Sequence, residues 1–198
     1  MRTPIIRCIM VTALALTGFI AAAQIIDKEQ MQLRAAERVE QLADYIELMA
    51  DKSIPAADRM EVSEQALHLF VGCGDAYEEN GRIRNGVIME VTSRWRKNPI
   101  PRPIKKYFTG LINLKYNHVK INGANVSTIK VSDLRKRPDG TYSCVCTFLQ
   151  EFIGYSREGK VLLRDTDRKS VTCIISVDET EWGIEYVVKL GDVRVVED

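Results

Sequence analysis

Apolar and polar positions follow two different repeats along this chain, a helical repeat near the N-terminal side and an alternating repeat toward the C-terminus. One apolar stripe, spaced by four and three residues, consists of Ala35, Val39, Leu42, Ile46 and Met49. This spacing predicts a helix over about residues 27–51, because positions three and four apart share one helical face. Asp27 and Gln30 have the spacing of a capping pair at its start.

Two further helices and one strand are predicted in the middle of the chain. Proline is tolerated in a first helical turn, so a second helix should begin near Pro55 and end near Gly72. Its apolar side comprises Met60, Ala66, Leu67 and Phe70. The pattern predicts a loop over residues 72–85, a strand over 87–92 and a stiff, proline-rich connector over 98–103. A third helix then has apolar positions Ile104, Tyr107, Phe108, Leu111 and Leu114.

From residue 116 onward, apolar and polar positions alternate, which predicts a meander of antiparallel strands. Turns are expected at residues 138–140, 156–159 and 178–181, where Gly, Pro, Ser and acidic residues gather. After the first turn, one strand face consists of Tyr142, Cys144, Cys146, Phe148, Gln150 and Phe152. The next strand contributes Val171, Cys173, Ile175 and Val177. The final strand contributes Trp182, Ile184, Tyr186, Val188 and Leu190.

The order of these elements indicates the α+β class. The predicted strands are longer than the usual length of about five or six residues, so they have to bend. Gly154 and Gly191 are the expected bulge or kink sites. We predict one α+β domain over residues 24–198, with N-terminal helices packed on a curled antiparallel sheet.

Several segments resemble small exported bacterial proteins of the nuclear-transport-factor-two-like, or cystatin-like roll, superfamily. These segments are residues 66–72, 89–93, 104–108, 150–155 and 188–193. The resemblance implies a cone-shaped roll, and it implies a homodimer formed through the open face of the sheet. It implies no single activity, because that superfamily includes isomerases, dehydratases, association domains and transport factors.

Enzymes of that superfamily place a carboxylate or a His–Asp pair inside the cone, together with a tyrosine or a second acid. The resemblance therefore implies a small set of inward candidates here, namely Gln150 or Glu151, Tyr107, Tyr142 and Tyr186. We interpret these residues as ordinary core and rim positions, because nothing in their spacing brings them to one point.

The first 23 residues predict export. Arg2 and Arg7 supply a positive start, and Cys8 to Ala23 is an uncharged, mostly apolar run of 16 residues that ends in three alanines. This is the pattern of a secretory signal peptide, and the run is shorter than the roughly 20 residues of a membrane-spanning helix. We expect cleavage after Ala23 and a periplasmic or secreted protein. The alternative is retention of the segment as an N-terminal anchor.

Charge is unevenly distributed, although the formal net charge is only +1. Residues 24–80 hold 5 basic and 13 acidic side chains, whereas residues 81–120 hold 10 basic side chains and one acidic side chain. In one interpretation the acidic helices neutralise the basic middle internally. In the other, the basic segment is a surface for an anionic partner. Its candidate residues are Arg94, Trp95, Arg96, Lys97, Arg102, Lys105 and Lys106.

The basic segment surrounds the start of the third predicted helix, where cations oppose the helix dipole and free backbone donors favour anions. A negatively charged group is therefore expected at the start of this helix. It could be an acidic residue such as Glu61, Glu64 or Asp75, or an unknown protein or anionic component of the cell envelope. Nucleic acid is not expected as a partner, because no stacking-plus-basic module is recognisable.

Four cysteines remain after cleavage of the signal peptide, at positions 73, 144, 146 and 173. If residues 158–159 form a two-residue turn, opposing residue numbers add to 317, and Cys144 faces Cys173. That arrangement allows a disulfide, and the alternative is two free thiols in the core. Cys144 and Cys146 do not have zinc-site spacing, and the chain has only 2 histidines. No metal and no cofactor are expected.

Catalytic motifs are absent from the sequence. It contains no nucleophile elbow, phosphate loop or dinucleotide fingerprint. Asp165 and Asp167 resemble the start of a calcium loop, but the glycine and the distal glutamate are missing, so we interpret them as solvated. We expect a non-enzymatic exported binding or association module. The alternatives are a small-molecule enzyme or carrier that uses the pocket of the cone, and peripheral membrane association through residues 94–106.

Overall fold

A computed structural model describes residues 27–79, 81–93 and 96–196 of the chain. The side chains of residues 93, 96 and 97 fall outside this description. The expected signal peptide lies outside the described residues, and so do Arg94 and Trp95 of the basic segment.

Three α-helices lie within the described residues. They are α1 (Lys28–Ala50), α2 (Ala56–Leu67) and α3 (Ile104–Ile112), and a short 3-10 turn covers Val71–Gly74. The predicted bounds of α1 are confirmed to within one residue, and its whole apolar stripe is buried. The second helix is shorter than predicted, and Met60 is 54% exposed rather than part of the core.

Asp27 caps α1 and also connects it to the sheet. Its carboxylate accepts hydrogen bonds from the backbone N–H groups of Glu29 (2.9 Å) and Gln30 (3.2 Å). The predicted return bond from the Gln30 side chain is replaced, because the backbone N–H of Asp27 donates to the hydroxyl of Tyr186 at 2.8 Å. The start of the helix is therefore attached to the last strand.

Ten strands lie within the described residues. Their bounds are β1 Tyr77–Glu79, β2 Arg82–Arg84, β3 Ile88–Ser93, β4 Arg96–Pro103, β5 His118–Asn122, β6 Lys130–Val131, β7 Arg135–Lys136, β8 Tyr142–Tyr155, β9 Val161–Thr180 and β10 Gly183–Val195. The main sheet is curled and unclosed, in the order β4-β3-β10-β9-β8-β5, with β6 and β7 also paired to β8. Its pairs are antiparallel except for β10 with β3. The α+β class is therefore confirmed.

Two segments without a strand in the prediction form strands. Residues 72–85 contain the 3-10 turn and the β1–β2 hairpin, and residues 98–103 belong to edge strand β4. Ile104 N donates to Val87 O at 3.0 Å, so even-numbered amides of β4 face β3. The prolines at odd-numbered positions then face the free edge, where a missing N–H costs no ladder bond.

The register predicted for the long hairpin is confirmed. From Tyr142 to Gly154, paired residues of β8 and β9 add to 317, and Cys144 faces Cys173. The turn itself differs, because Ser156 N donates to Lys160 O at 2.8 Å and leaves three residues in the loop. A register shift next to Gly154 restores the predicted pairing.

The concave face of the sheet packs on α1, which contacts β5, β6, β8, β9 and β10. The predicted kink at Gly191 is confirmed, because two residues of β10 there oppose one residue of β9. Trp182 is a correction to the predicted apolar face of this strand. Thr180 pairs with Gly183, which leaves Trp182 in the turn, where it is 96% exposed.

Two carboxylates join β3 to β10, whose parallel pairing has one register pair, Val193 with Met89. The buried carboxylate of Asp192 accepts from Ile88 N at 2.9 Å and from the guanidinium groups of Arg84 (3.2 Å) and Arg194 (2.9 Å). The carboxylate of Glu90 accepts from Val195 N at 2.9 Å. Side chains thus supply bonds that a longer ladder would supply through the backbone.

Replacing Asp192 by alanine should lower the free energy of unfolding by about 2–4 kcal/mol, because Ile88 N and two guanidinium groups lose their buried acceptor. Urea unfolding at neutral pH measures the change. Asp178→Ala, at an exposed position of β9, is the control and should change stability by less than about 0.5 kcal/mol. Equal stabilities of the two variants would contradict the structural role of Asp192.

Candidate functional site

A pocket of about 250 Å³ lies between α3 and the N-terminal half of β9, on the concave side of the sheet. α3 contributes Tyr107, Gly110 and Leu111, and the segment after it contributes Leu114 and Tyr116. The opposite side comes from the strands, with Val91, Thr92, Arg102, Phe152, Leu163, Asp165 and Asp167. Residues from α3 and from four strands thus line one partly open space.

The inner face of β9 changes character along its length. Val171, Cys173 and Ile175 are fully buried under α1. Four to ten residues earlier, the same face carries Asp165 and Asp167, which are half-buried in the pocket wall. Because side chains two apart in a strand share a face, one strand supplies both the apolar core and the polar pocket.

Aromatic rings form one wall of the pocket. Tyr116 and Phe152 meet edge to face, with ring centroids 6.4 Å apart. Gly154 allows this approach, because a Cβ at that position would lie 2.7 Å from Cγ of Tyr116. Burial raises the pKa of Tyr116, with a smaller contribution from Asp165, and burial raises the pKa of Tyr107 well above its usual range. Both hydroxyls therefore keep their protons at neutral pH.

Asp167 is held by two neighbours. It accepts a short hydrogen bond from the hydroxyl of Thr92, and Nζ of Lys169 lies 3.5 Å from its carboxylate. Lys169 is buried and also donates to the backbone oxygen of Glu90 at 3.0 Å. Burial lowers the pKa of Lys169, whereas Asp167 opposes that change. The pair fixes one side of the pocket to β3.

Two charged side chains in the pocket wall have no such partners. Within the described part of the chain, neither the guanidinium of Arg102 nor the carboxylate of Asp165 makes a hydrogen bond or a salt bridge. Arg102 is exposed at the end of β4, and Asp165 is half-buried on β9. Among the described residues, the pocket wall therefore holds one guanidinium and one carboxylate without a hydrogen-bonded or ion-paired partner, beside an aromatic wall. Asp165 still interacts electrostatically with Tyr116 and Lys169.

The cations of the basic segment have different surroundings. Lys105 pairs with Asp75 at 2.5 Å, so one charge of the basic segment is neutralised internally, by one of the predicted acidic partners. Lys106 is exposed, and Arg102 lines the pocket. Arg94 and Trp95, and the side chains of residues 96 and 97, lie outside the described residues. Binding of an anionic partner by this segment stays a prediction.

Of the inward candidates that the resemblance implied, Tyr107 alone lines this pocket. The carboxylate of Glu151 pairs with Arg164 and accepts from Asn122 at 2.7 Å, and the Asn122 bond is the main cause of its lowered pKa. Tyr186 is bonded to the start of α1. The predicted residues therefore do not meet at one point.

Both histidines make contacts elsewhere. His118 stacks on Tyr155 with ring centroids 4.6 Å apart. Nδ1 of His68 lies 3.5 Å from the sulfur of Cys73, a half-buried residue whose φ of 50° is in the left-handed region. Neither histidine lines the pocket.

The other cysteines gather at the centre of the sheet. Cys144, Cys146 and Cys173 are buried, and their sulfur atoms all lie within 4.8 Å of one another. The sulfur atoms of Cys146 and Cys173 lie 3.6 Å apart. Contacts with these two thiols lower the pKa of Cys144, and contact with Cys144 raises the pKa values of Cys146 and Cys173. All four described cysteines are free thiols, so the Cys144–Cys173 disulfide stays a prediction.

Sequence reasoning missed the pocket and the cysteine cluster. The spacing of Asp165 and Asp167 places both on one strand face, and that alternation continues into Val171 and Cys173. This was the available signal for an acidic pocket wall. Arg102 gave no such signal, because its position depends on the pairing of β4.

Comparisons with protein-family models, with curated proteins and with solved structures found no match. Among the described residues, no helix has both the length and the apolar character needed to cross a bilayer. The surroundings of the pocket and of the cysteine cluster are therefore the basis for inferring function.

The pKa of Lys169 generates a pH prediction. Burial holds this pKa below the usual 10.5, so between the two values the unfolded chain binds more protons and stability rises with pH. We expect the free energy of unfolding of the natural chain to rise, relative to Lys169→Met, as the pH increases from the lowered pKa of Lys169 toward the pKa of an unfolded lysine. Urea unfolding of both proteins at several pH values tests this. A difference that stays constant or falls with pH would refute it.

Proposed function

We propose that the protein is an exported, non-enzymatic binding module of the cell envelope whose pocket between α3 and β9 holds a small ligand. The observation that carries the proposal is a pair of charges, Arg102 and Asp165, on the wall of a largely apolar pocket, for which the described residues provide no hydrogen bond or salt bridge. A few polar groups in the wall of an apolar, concave site are typical of ligand pockets.

The chemistry of the ligand follows from these side chains. A guanidinium presents a planar fork of donors that suits a carboxylate or phosphate group, so Arg102 should hold an anionic end. Asp165 accepts hydrogen bonds from a donor or cation on the same molecule. Phe152 and Leu163 contact the apolar body between them. The volume of about 250 Å³ is just below the usual range of about 300–1,000 Å³ for ligand pockets, which favours a small molecule.

The protonation of the pocket supports binding rather than catalysis. A general base acts best with a pKa near the working pH, whereas burial raises the pKa values of Tyr107 and Tyr116 above that range. The hydroxyl of Thr92 donates a hydrogen bond to the carboxylate of Asp167. These three hydroxyl groups are therefore suited to hydrogen bonding and not to proton transfer. The alternative, a small-molecule enzyme in the same pocket, would need a group that takes up and releases a proton near neutrality.

The shape and association of the protein are part of the proposal. The packing of α1 in the concavity of a curled, unclosed sheet supports the cone-shaped roll of the nuclear-transport-factor-two-like superfamily. Association as a homodimer, and contact of the basic segment with an anionic envelope component, rest on the resemblance and on the exposed Arg102 and Lys106.

Export generates a direct prediction. When the full gene product is expressed in a bacterial host, N-terminal sequencing of the exported protein should begin at Gln24. The capped helix α1 begins at Lys28, so cleavage after Ala23 leaves its described contacts intact. A chain that keeps Met1 and sediments with membranes would support the alternative of an N-terminal anchor and contradict cleavage.

A pocket-filling variant tests ligand binding. We choose 8-anilinonaphthalene-1-sulfonate as the probe, because it joins an apolar aromatic body to an anionic group. Gly110→Leu places a side chain in the pocket wall, where a Cβ has only the guanidinium of Arg102 nearby, at 4.0 Å. It should abolish saturable binding, whereas Arg102→Gln should weaken it by about tenfold through loss of one charged hydrogen bond.

The matched control is Thr109→Leu, which adds the same side chain at the neighbouring, exposed position of α3. Fluorescence titration of the folded variants gives the dissociation constants. Unchanged binding by Gly110→Leu, or equal losses in Gly110→Leu and Thr109→Leu, would exclude the pocket as the binding site.

A further inference from the structure

Three thiols from two neighbouring strands converge on the concave face of the sheet, away from the ligand pocket. Cys144 faces Cys173 directly across β8 and β9, and Cys146 follows two residues later on the same face of β8. The sulfur atoms of Cys146 and Cys173 lie 3.6 Å apart, and all three lie within 4.8 Å of one another. The exposed fraction is 3% for Cys144 and 0% for both Cys146 and Cys173.

This triangle has the size of a metal site. A first-row ion held by thiolates lies about 2.3 Å from each sulfur, so three sulfurs around it in one plane are about 4.0 Å apart. The Cys146–Cys173 sulfur distance is 3.6 Å, and none of the three sulfur–sulfur distances exceeds 4.8 Å, so the cluster is close to that size. Small rotations of the side chains are therefore enough to bring all three sulfurs to an ion.

The number and type of ligands select the ion. The described residues provide a group of three cysteines, with no fourth histidine, aspartate or glutamate in it. Structural zinc sites are almost always four-coordinate, and a water cannot readily complete this one because the cysteines are sealed from solvent. Soft thiolates without oxygen or nitrogen ligands favour Cu(I), which accepts three-coordinate geometry.

We propose that Cys144, Cys146 and Cys173 form a trigonal thiolate site for one Cu(I) ion. The inference does not depend on the ligand pocket. Binding forms copper–sulfur bonds and displaces protons from the coordinating thiols to solvent, and no electron is transferred. Because protons are released, the affinity for Cu(I) should rise with pH, by up to about tenfold per unit for each proton displaced.

The experiment is an anaerobic titration of the reduced full chain with Cu(I), supplied as its acetonitrile complex, against bathocuproine disulfonate as a competing chelator. Cys73→Ser serves as the reference protein, because Cys73 is less buried and lies beside His68. We expect one tightly bound Cu(I) per chain by native mass spectrometry in this reference. Adding Cys173→Ala should lower the affinity by about a hundredfold or more, since even residues that only support a ligand change metal affinity by about 10–100-fold.

X-ray absorption of the copper-loaded natural chain provides a measurement that no folding defect of a variant can disturb. Three sulfur neighbours at about 2.3 Å are the expected result. The proposal is overturned by two-coordinate copper, by equal affinity in the presence and absence of Cys173, or by nitrogen or oxygen neighbours. It is also overturned if Cys173 is found in a disulfide in the protein isolated without reductant. If Cys173→Ala does not fold, Cys146→Ala takes its place.

Discussion

The attachment of β3 to β10 determines where β3, β4 and α3 place their side of the candidate site. A parallel pair with a single register pair has few backbone hydrogen bonds to hold it. Asp192 and Glu90 therefore contribute by accepting backbone N–H groups across the junction. Since β4 pairs with β3 and leads directly into α3, this junction positions Thr92, Arg102 and the helix that covers the pocket.

Lys169 extends the same junction into the concave face. Its Nζ reaches the backbone of β3 and the carboxylate of Asp167, so it connects the buried core of β9 to the polar wall. An uncompensated buried charge is costly, and these two oxygens compensate it. The inner face is thereby divided, with apolar side chains and thiols under α1 on one side and carboxylates around the pocket on the other.

The predictable part of the fold is the part that local periodicity determines. The stripe of α1 follows from spacing alone, because a helix repeats every 3.6 residues. The pairing of Cys144 with Cys173 was predicted from a two-residue turn, and it holds because the register shift next to Gly154 offsets the three-residue loop. The proline-rich β4 was misassigned because its pairing depends on a distant strand. Trp182 was misassigned because a turn position looks like a strand position when its neighbours alternate. Arg102 and Asp165 come together only through that pairing of distant strands.

The cysteine cluster also depends on strand pairing and not on spacing along the chain. Two of its thiols share one strand, with a spacing that metal-site patterns do not recognise, and the third comes from the strand across the hairpin. A sequence pattern records neighbours along the chain, whereas a ligand set depends on neighbours across the sheet. The cluster and the pocket both use the inner face of β9, and Lys169 lies between them. A soft ion would therefore meet only sulfur, while polar ligands would meet only the carboxylates and Arg102, so one strand can hold two chemically separate sites.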